Sequence, residues 1–466
     1  MSAQEYDLVV IGSGPAGEKA AIEASKMRKK SAIIERHSVQ GGVCIHTGTI
    51  PSKTLRETVL YISGLRQRSV YGLMGGVKSD ISVRELMYRK GQVIQQELDV
   101  IQQNMSRYRI EVIHGTGSIA DPNTVVVVNP DGEKQEIKGE VIVISTGTRP
   151  YRPDNIDWDA RYFYDGETII DLDVVPQSLT IVGGGVIGCE YASIFAHIGT
   201  KVTIVDDRER LMSFLDSEIA DALTYLMRKY RVSLVLGDGA KESFVEDGQV
   251  VTVTRSGRRV VSERLLFAAG RTGNTEGLGL EKLGIETDKH GLIKVNDLYC
   301  TSVPNIYAVG DVIGFPSLAS VSMDQGRLAA IHAFKSGDTS CINTLLPFGI
   351  YTIPEVSMIG ETEEKLSATG QEFEVGIARY FELARGQIIN DHDGMLKLIF
   401  DPRSRRILGV HIVGERATEL IHIGQAVMTH GGSLNYFVDT VFNYPTLSEA
   451  YKIAALDGFA RLEGRA

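Results

Sequence analysis

A glycine-rich unit that occurs twice constrains the fold of this chain more than any other feature. Each copy reads as an apolar strand, a glycine-rich turn, a helix and a second strand that ends in an acidic residue. The spacing from the first glycine to the acid is the same in both copies, which comprise Gly12, Gly14, Gly17 and Glu35, and then Gly183, Gly185, Gly188 and Asp206. Each copy therefore predicts a βαβ unit that binds a dinucleotide.

The residues of this unit have separate physical roles. The first glycine makes the turn, the second lets a pyrophosphate approach the backbone, and the third lets the helix pack against the strand. The pyrophosphate then meets the unpaired N–H groups of the helix N-terminus, and the acid binds ribose hydroxyls. One such motif alone also fits an ordinary glycine-rich turn. Two copies favour two dinucleotides, namely a tightly held FAD and an exchanging nicotinamide dinucleotide.

Three further apolar runs end in turns of small or polar residues. These turns contain Thr146 and Gly147, then Gly270 and Arg271, and finally Gly310 and Asp311. The order predicts an α/β fold in which one Rossmann-like domain is inserted in another. We expect an FAD-binding domain over residues 1–150 and 272–344, and an NAD(P)-binding domain over residues 151–271. Residues 345–466 carry strand-like runs before a helical pattern and no phosphate motif, which predicts a C-terminal α+β packing or dimerisation domain.

Composition excludes several classes of protein. The 466 residues carry a net charge of −10, which gives no general attraction to nucleic acid or to an anionic membrane. No apolar stretch approaches the roughly 20 residues that span a bilayer. The four cysteines are too few and too far apart for a disulfide framework. The polar start does not resemble a signal peptide, so we expect a cytoplasmic protein, and we expect no metal.

The segment after the first unit carries the most specific motif. It runs from Gly41 to Lys53 as GGVCIHTGTIPSK. The whole chain resembles the two-dinucleotide flavin disulfide reductases, whose motif is GGxCxxxGCxPSK and whose two cysteines form a redox disulfide above the flavin. Here Cys44 matches the first cysteine, whereas Thr49 stands in place of the second. A hydroxyl forms no disulfide, so the thiol relay is absent as the sequence is written.

The end of the chain departs from the family in the same direction. The family ends in His-Pro-Thr-x-Ser-Glu, where the histidine serves the thiol from the partner subunit and the glutamate orients it. Here Tyr444 takes the histidine position, and Glu449 is kept. A phenol with an ordinary pKa of about 10 is a poor general acid or base at neutral pH. Both halves of the disulfide chemistry are therefore missing together.

The resemblance also assigns the remaining site residues. It implies that Lys53 lies beside the flavin N5 and pairs with Glu190, and that both are catalytic. It further implies that Glu35 binds the flavin's adenosine ribose and Asp311 its ribityl chain, with Ala319 nearby. The remaining cofactor-binding residues that we expect are Gly42, Cys44, Gly115, Gly117, Thr146, Gly147, Gly270, Arg271 and Gly310.

A flavin without a dithiol must pass its electrons elsewhere. The resemblance implies a branch of the family that moves hydride between NADPH and NAD⁺ in a ping-pong cycle at one site, as a homodimer or a higher homo-oligomer. Asp206 suits the ribose of NAD, and Arg208 or Arg210 could balance it for NADP. We therefore expect either arginine, when replaced by alanine, to raise KM for NADPH more than for NADH. The alternatives are a dithiol-free quinone or dye reductase and a non-catalytic flavoprotein binding subunit.

Overall fold

The computed structural model describes residues 4–64, 82–156, 158–159, 161–335, 337–338, 340–342 and 344–464. Within these ranges, no helix has the length and apolar character needed to cross a lipid bilayer. The predicted α/β fold class is confirmed, since a mostly parallel sheet and a wholly parallel sheet, both with flanking helices, precede an antiparallel sheet in the C-terminal part.

The first sheet contains the first glycine-rich unit. Its strand order is β3-β2-β1-β6-β5-β4, and β17 also pairs with β6. Its parallel strands are β1 (Gln4–Ile11), β2 (Ser31–Glu35), β3 (Glu111–His114), β6 (Lys134–Ile144) and β17 (Ile306–Ala308), and its antiparallel strands are β4 (Thr116–Asp121) and β5 (Thr124–Val128). The first half of β6 pairs with β5 and the second half with β17, so a distant part of the sequence completes this sheet.

Helices cover this sheet and lead towards the second unit. They are α1 (Pro15–Lys26), α2 (Gly42–His46), α3 (Thr49–Ser63), α4 (Val83–Arg107) and α7 (Ala319–Phe334). Helix α1 packs closely on α7, because a Cβ atom on Gly326 would overlap the carbonyl oxygen of Ala16. The expected helix after the first glycine-rich turn is therefore confirmed as α1.

The second sheet is wholly parallel, with the order β11-β10-β9-β15-β8. Its strands and helices are β8 (Phe163–Asp165), β9 (Ser178–Val182), α5 (Val186–His197), β10 (Lys201–Asp206), α6 (Ser217–Lys229), β11 (Ser233–Leu236) and β15 (Arg264–Phe267). An antiparallel sheet of β12 (Ala240–Glu246), β13 (Gln249–Thr254) and β14 (Arg259–Ser262) adjoins it. The ribbon of β7 (Thr148–Pro150) and β16 (Arg271–Gly273) lies where both predicted domain boundaries fall.

The C-terminal part is an antiparallel sheet with the order β18-β19-β22-β21-β20 and helices around it. Its elements are β18 (Phe348–Ile350), β19 (Val356–Gly360), α8 (Glu363–Thr369), β20 (Glu374–Arg379), α9 (Ala384–Ile388), β21 (Met395–Phe400), β22 (Ile407–Val413), α10 (Ala417–Thr429), α11 (Leu434–Asp439) and α12 (Ala450–Leu462). The core around the second sheet continues through Val59 of α3 and Ile353 after β18. This shared core holds the three parts against one another.

Candidate functional site

The first glycine-rich turn connects β1 to α1 and leaves the helix end open. Gly12 has φ +104°, and a Cβ atom there would lie 2.5 Å from the carbonyl oxygen of Ser145. A Cβ atom on Gly17 would overlap the carbonyl oxygen of Gly12, so α1 packs directly on the turn. By contrast, no described atom lies within 4 Å of the Cβ position of Gly14. The turn and packing roles of the first and third glycines are confirmed, and the open face of Gly14 suits a pyrophosphate.

The second glycine-rich turn repeats this geometry between β9 and α5. Gly183 has φ +114°, and a Cβ atom there would lie 2.8 Å from the backbone of Ala268. A Cβ atom on Gly188 would overlap the carbonyl oxygen of Gly183. The Cβ position of Gly185 has a single described neighbour within 4 Å, the Nη2 atom of Arg208 at 3.9 Å. The open glycine of this unit therefore lies beside an arginine.

The acid of the first unit is held by its own turn. Glu35 is 5% exposed. Its Oε2 accepts hydrogen bonds from the backbone nitrogen of Ser13 at 3.0 Å and from the Ser13 hydroxyl at 2.6 Å, while its Oε1 accepts one from the backbone nitrogen of His37 at 2.9 Å. These bonds fix the carboxylate at the carboxyl end of β2, next to the open glycine.

The acid of the second unit, Asp206, forms an ion pair with Arg208. Arg208 donates from Nε to Oδ1 of Asp206 at 2.9 Å and from Nη2 to Oδ2 at 2.7 Å. The backbone nitrogens of Arg208 and Gly184 also donate to this carboxylate. Burial opposes ionisation, but these hydrogen bonds outweigh it and hold the pKa of Asp206 below its usual range. Arg210 instead pairs with Asp221 at 3.5 Å.

The two residues expected to be catalytic are in contact. Nζ of Lys53, near the start of α3, lies 2.8 Å from Oε2 of Glu190 on α5. The other oxygen of Glu190 accepts a hydrogen bond from the backbone nitrogen of Tyr351 at 2.9 Å, and the ammonium group lies 4.9 Å from the centre of the Tyr351 ring. Glu190 is buried, whereas the Lys53 side chain is 26% exposed. A cation with a fixed carboxylate partner thus lies between the two glycine-rich units.

Cys44 carries a free thiol, as do Cys189, Cys300 and Cys341. Cys44 lies on α2, and Thr49 at the start of α3 is close enough for its hydroxyl to lower the pKa of the Cys44 thiol. Burial raises the pKa of the Cys44 thiol, against the opposing effect of Thr49. The geometry agrees with the sequence in placing a hydroxyl beside this thiol. The pair holds no disulfide, and the thiol is poor in the reactive thiolate at neutral pH.

Two of the expected contacts on the adenine side lie at the end of the first sheet. The backbone nitrogen of Gly115 donates to the carbonyl oxygen of Glu35 at 2.9 Å. The Cβ position of Gly117 lies 3.3 Å from the side chains of Ile11 and Ile34. Both glycines therefore adjoin the first unit, and their contact with an adenine stays a prediction.

Gly270 and Arg271 connect the second sheet to the two-stranded ribbon. Arg271 donates from Nε to the hydroxyl of Thr148 at 2.7 Å and pairs through Nη2 with Glu167 at 2.8 Å. Arg271, on β16, thus connects β7 of the two-stranded ribbon to the segment that follows β8. It also lies near enough to Asp311 for its charge to favour the ionised carboxylate.

The remaining predicted residues follow β17. The backbone nitrogen of Gly310 donates to the side-chain oxygen of Gln325 at 2.8 Å, and Ala319 begins α7. Burial raises the pKa of Asp311, although Ser322 and the charge of Arg271 oppose the shift. A half-buried acid at the carboxyl end of a parallel strand lies where the open α/β architecture binds its ligands.

The residues around the first unit fit FAD. The hydroxyl oxygens of Thr47 and Thr146 are buried and have no hydrogen-bond partner among the described residues. Buried polar atoms in proteins are generally satisfied, so these two hydroxyls indicate a polar ligand. Gly42 adjoins the first glycine-rich turn, since its Cβ position lies 3.0 Å from Cα of Gly14. The Cβ position of Gly147 has no described neighbour within 4 Å. FAD brings phosphate, hydroxyl and ring groups that would satisfy such partners.

The second unit has a cavity of about 200 Å³ beside its glycine-rich turn. Apolar atoms dominate its lining, which includes Val186, Ile187, Phe267, Ala268 and Arg271. It lies at the carboxyl ends of β9 and β15, where a nucleotide is expected in a parallel sheet. Tyr444 is 72% exposed in the single chain.

Sequence reasoning missed a charged cluster that joins two parts of the chain. Lys397 of β21 is fully buried and pairs with Asp216 at 2.8 Å, with Glu218 at 3.1 Å and with Glu363. Asp216 is the N-cap of α6, and Glu363 begins α8. The available signal was a lysine inside the otherwise apolar strand Met395–Phe400. A lysine at such a position is almost never fully buried unless it is paired.

Comparison with known proteins agrees with this arrangement. Residues 6–326 match the pyridine nucleotide-disulphide oxidoreductase family, and residues 346–455 match the dimerisation domain of that family. The chain therefore belongs to the pyridine nucleotide-disulphide oxidoreductases. Membership implies FAD and a pyridine nucleotide, and the dimerisation domain indicates a homodimer.

Individual relatives indicate which members of the family this chain resembles. The chain is 50% identical over 455 residues to the soluble pyridine nucleotide transhydrogenase of Mycobacterium tuberculosis (strain ATCC 25177 / H37Ra), with 97% of each chain covered. It is 45% identical over 463 residues to that of Yersinia enterocolitica, with 98% of each covered. A solved structure of the flavoprotein disulfide reductase RclA from Escherichia coli matches with a TM-score of 0.88 and 28% identity, covering 97% of this chain and 99% of the other.

Proposed function

We propose that this chain is an FAD-dependent enzyme that moves hydride between NADPH and NAD⁺. The observation that carries the proposal is the combination of an intact Lys53–Glu190 pair with a Cys44–Thr49 pair that holds no disulfide. The names of the relatives from Mycobacterium tuberculosis and Yersinia enterocolitica support the same activity. FAD, when bound, supplies the ring atom that takes up hydride and returns it.

The chain's own residues contribute position and charge. Glu190 anchors the Lys53 ammonium at 2.8 Å, and the backbone of Tyr351 anchors Glu190 in turn. Because the three residues lie on α3, on α5 and after β18, the pair fixes the first unit against the second. Hydride transfer requires donor and acceptor within about 3–3.5 Å of one another, so such rigidity favours the reaction. Neither Lys53 nor Glu190 needs to transfer a proton.

The second unit provides the site that NADPH and NAD⁺ use in turn. The cavity beside Val186 and Ile187 adjoins α5, which carries Glu190. In the proposal, one nucleotide site at this cavity serves both half-reactions. Asp206 is the residue for the ribose of NAD(H), and Arg208 is the neighbouring cation for the phosphate of NADP(H). We include in the proposal the predicted homodimer or higher homo-oligomer, the cytoplasmic location and the predicted domain boundaries.

Anaerobic titration of the purified FAD-loaded protein tests the proposal. NADPH and NADH should each bleach the flavin absorbance, and either NAD⁺ or NADP⁺ should restore it. Initial rates with NADPH and an NAD⁺ analogue should give parallel double-reciprocal lines, as expected when the first product leaves before the second substrate binds. Bleaching by only one of the two reduced nucleotides would refute the proposal.

A further inference from the structure

The two glycine-rich units differ at the residue that follows the acid by two positions. In the second unit that residue is Arg208, whose guanidinium lies on the Asp206 carboxylate with two hydrogen bonds of 2.9 and 2.7 Å. In the first unit it is His37, which donates to Glu35 only through its backbone nitrogen. Both carboxylates are buried, but only the acid of the unit expected to exchange its nucleotide carries an arginine side chain, whereas the acid of the unit expected to hold FAD carries none among the described residues.

The hydrogen bonds on each acid show how strongly it is covered. An ionised carboxylate offers about four acceptor positions. On Asp206, Oδ1 accepts from the backbone nitrogen and Nε of Arg208, and Oδ2 accepts from the backbone nitrogen of Gly184 and from Nη2 of Arg208. These donors use all the positions, two of them through the Arg208 side chain. On Glu35 the donors among the described residues are two groups of Ser13 and one of His37, which leaves a position for a ribose hydroxyl.

The guanidinium also lies across the path of a dinucleotide. Its Nη2 atom lies 3.9 Å from the Cβ position of Gly185, the glycine whose open face suits the pyrophosphate. Arg208 therefore spans the distance from the ribose-binding acid to the phosphate-binding turn. Its side chain is 45% exposed, so it can turn outwards without disturbing the core.

We propose that Arg208 occupies the ribose position of the second unit, that the ribose of NAD(H) must displace it from Asp206, and that the same guanidinium binds the 2′-phosphate of NADP(H). This inference rests on the proposed function, in which one site accepts both nucleotides. NAD(H) uses Asp206 after the arginine has left. NADP(H) keeps the arginine engaged through a charge-assisted, two-pronged contact with the phosphate. A single side chain then sets the balance between the two substrates.

Removal of Arg208 should therefore affect the two nucleotides in opposite directions. Loss of a charge-assisted hydrogen bond to the 2′-phosphate should weaken binding of the phosphorylated nucleotide about tenfold or more. Release of the Asp206 carboxylate should raise the fraction of sites competent for the unphosphorylated ribose and so tighten its binding about threefold or more. A residue that merely stabilised the loop would weaken both.

Calorimetric binding of nucleotide fragments to the FAD-loaded protein tests this without any hydride transfer. The probes are ADP and adenosine 2′,5′-bisphosphate, of which only the second carries the 2′-phosphate. Arg208→Ala and Arg208→Gln should each bind the bisphosphate more weakly and ADP more tightly than the wild type. Thermal unfolding of each variant, compared with the wild type, checks that the fold is kept.

The matched control is Arg255→Ala. Arg255 is 67% exposed and pairs at 3.0 Å with Asp207, the neighbour of Asp206, so its loss removes the same charge close by. This control should leave the ADP affinity unchanged. Weaker or unaltered ADP binding in both Arg208 variants would overturn the inference. A wild-type protein that binds ADP but ignores the bisphosphate would overturn the proposed use of NADPH as well.

Discussion

The Nζ atom of Lys53 lies 2.8 Å from Oε2 of Glu190, and this contact joins the first glycine-rich unit to the second. The lysine comes from a helix beside the expected FAD site, and the glutamate comes from the helix that begins at the second glycine-rich turn. The relative position of the two nucleotide sites therefore depends in part on this ion pair, together with the packing around it.

Disruption of this pair should slow hydride transfer while FAD stays bound. Lys53→Ala and Glu190→Gln should each lower kcat/KM for NADPH about 100-fold, because misplacement of the reacting groups by about 1 Å costs that much in rate. Stopped-flow bleaching of the flavin absorbance measures the step directly. Lys294→Ala is a suitable control, since that lysine pairs with Glu286 on an exposed surface. An unchanged rate of bleaching in both variants would refute a role for the pair.

Cys44 should be dispensable for turnover. Its neighbour is a hydroxyl and burial raises its pKa, so Cys44→Ser should keep the hydride-exchange rate within about threefold of the wild type. Alkylation by iodoacetamide should be slow at neutral pH. It should accelerate only as the pH rises above about 8.5, the ordinary pKa of a cysteine thiol. Loss of activity in Cys44→Ser, or rapid inactivation by the reagent at pH 7, would indicate a thiol relay after all.

Alanine substitutions at two glycines of the second turn should affect different properties, namely folding at Gly188 and nucleotide binding at Gly185. Gly188→Ala places a Cβ atom onto the carbonyl oxygen of Gly183 and should destabilise the fold by more than about 3 kcal/mol. Gly185→Ala meets no described atom closer than 3.9 Å and should fold normally but bind nucleotides more weakly. Urea unfolding and calorimetric nucleotide binding distinguish the two. Equal effects of both substitutions on folding would contradict the separate roles.

Lys397 should be a major source of stability. Replacement by methionine leaves Asp216, Glu218 and Glu363 together without their cation, which should cost about 3–5 kcal/mol. Burial lowers the pKa of Lys397, but the three carboxylates outweigh it and raise the pKa overall. Its stabilising effect is therefore complete below the unfolded value of about 10.4 and is lost as the pH rises through the folded pKa.

Urea unfolding of wild type and Lys397→Met at pH 8 and at pH 11 measures this effect. The difference in free energy of unfolding should be large at pH 8 and smaller at pH 11. The exposed pair of Lys294 and Glu286 provides the control, and Lys294→Met should leave the free energy of unfolding nearly unchanged at both pH values. A Lys397→Met protein as stable as the wild type at pH 8 would show that the buried pairs contribute little.

The sequence was most informative where local geometry dictates the residue. Gly12 and Gly17 could be interpreted correctly because a turn with positive φ and a close helix contact tolerate only glycine. The contact of Lys53 with Glu190 followed from the family resemblance, because spacing alone does not bring residues so distant in sequence together. That resemblance also showed that Thr49 stands where the family has its second redox cysteine.

Other features depended on tertiary packing that a single sequence does not display. The cluster around Lys397 joins β21 to α6 and α8, and no local pattern specifies its partners. Glu190 accepts a hydrogen bond from the backbone nitrogen of Tyr351. Because any residue other than proline could donate this bond, the amino-acid sequence does not indicate it. Arg208 was recognised as a cation near Asp206, but its place on the carboxylate depends on how the loop turns after β10.

The most direct test of the central claim is anaerobic reduction of thio-NAD⁺ by NADPH, with purified FAD-loaded protein and no other electron acceptor. A parallel reaction offers lipoamide in place of thio-NAD⁺. We expect steady turnover with thio-NAD⁺ and none with lipoamide, since Thr49 stands where the disulfide would require a cysteine. Flavin bleaching without reduction of thio-NAD⁺ would contradict hydride exchange and would indicate a different acceptor, such as a quinone. Absence of both would indicate a binding subunit.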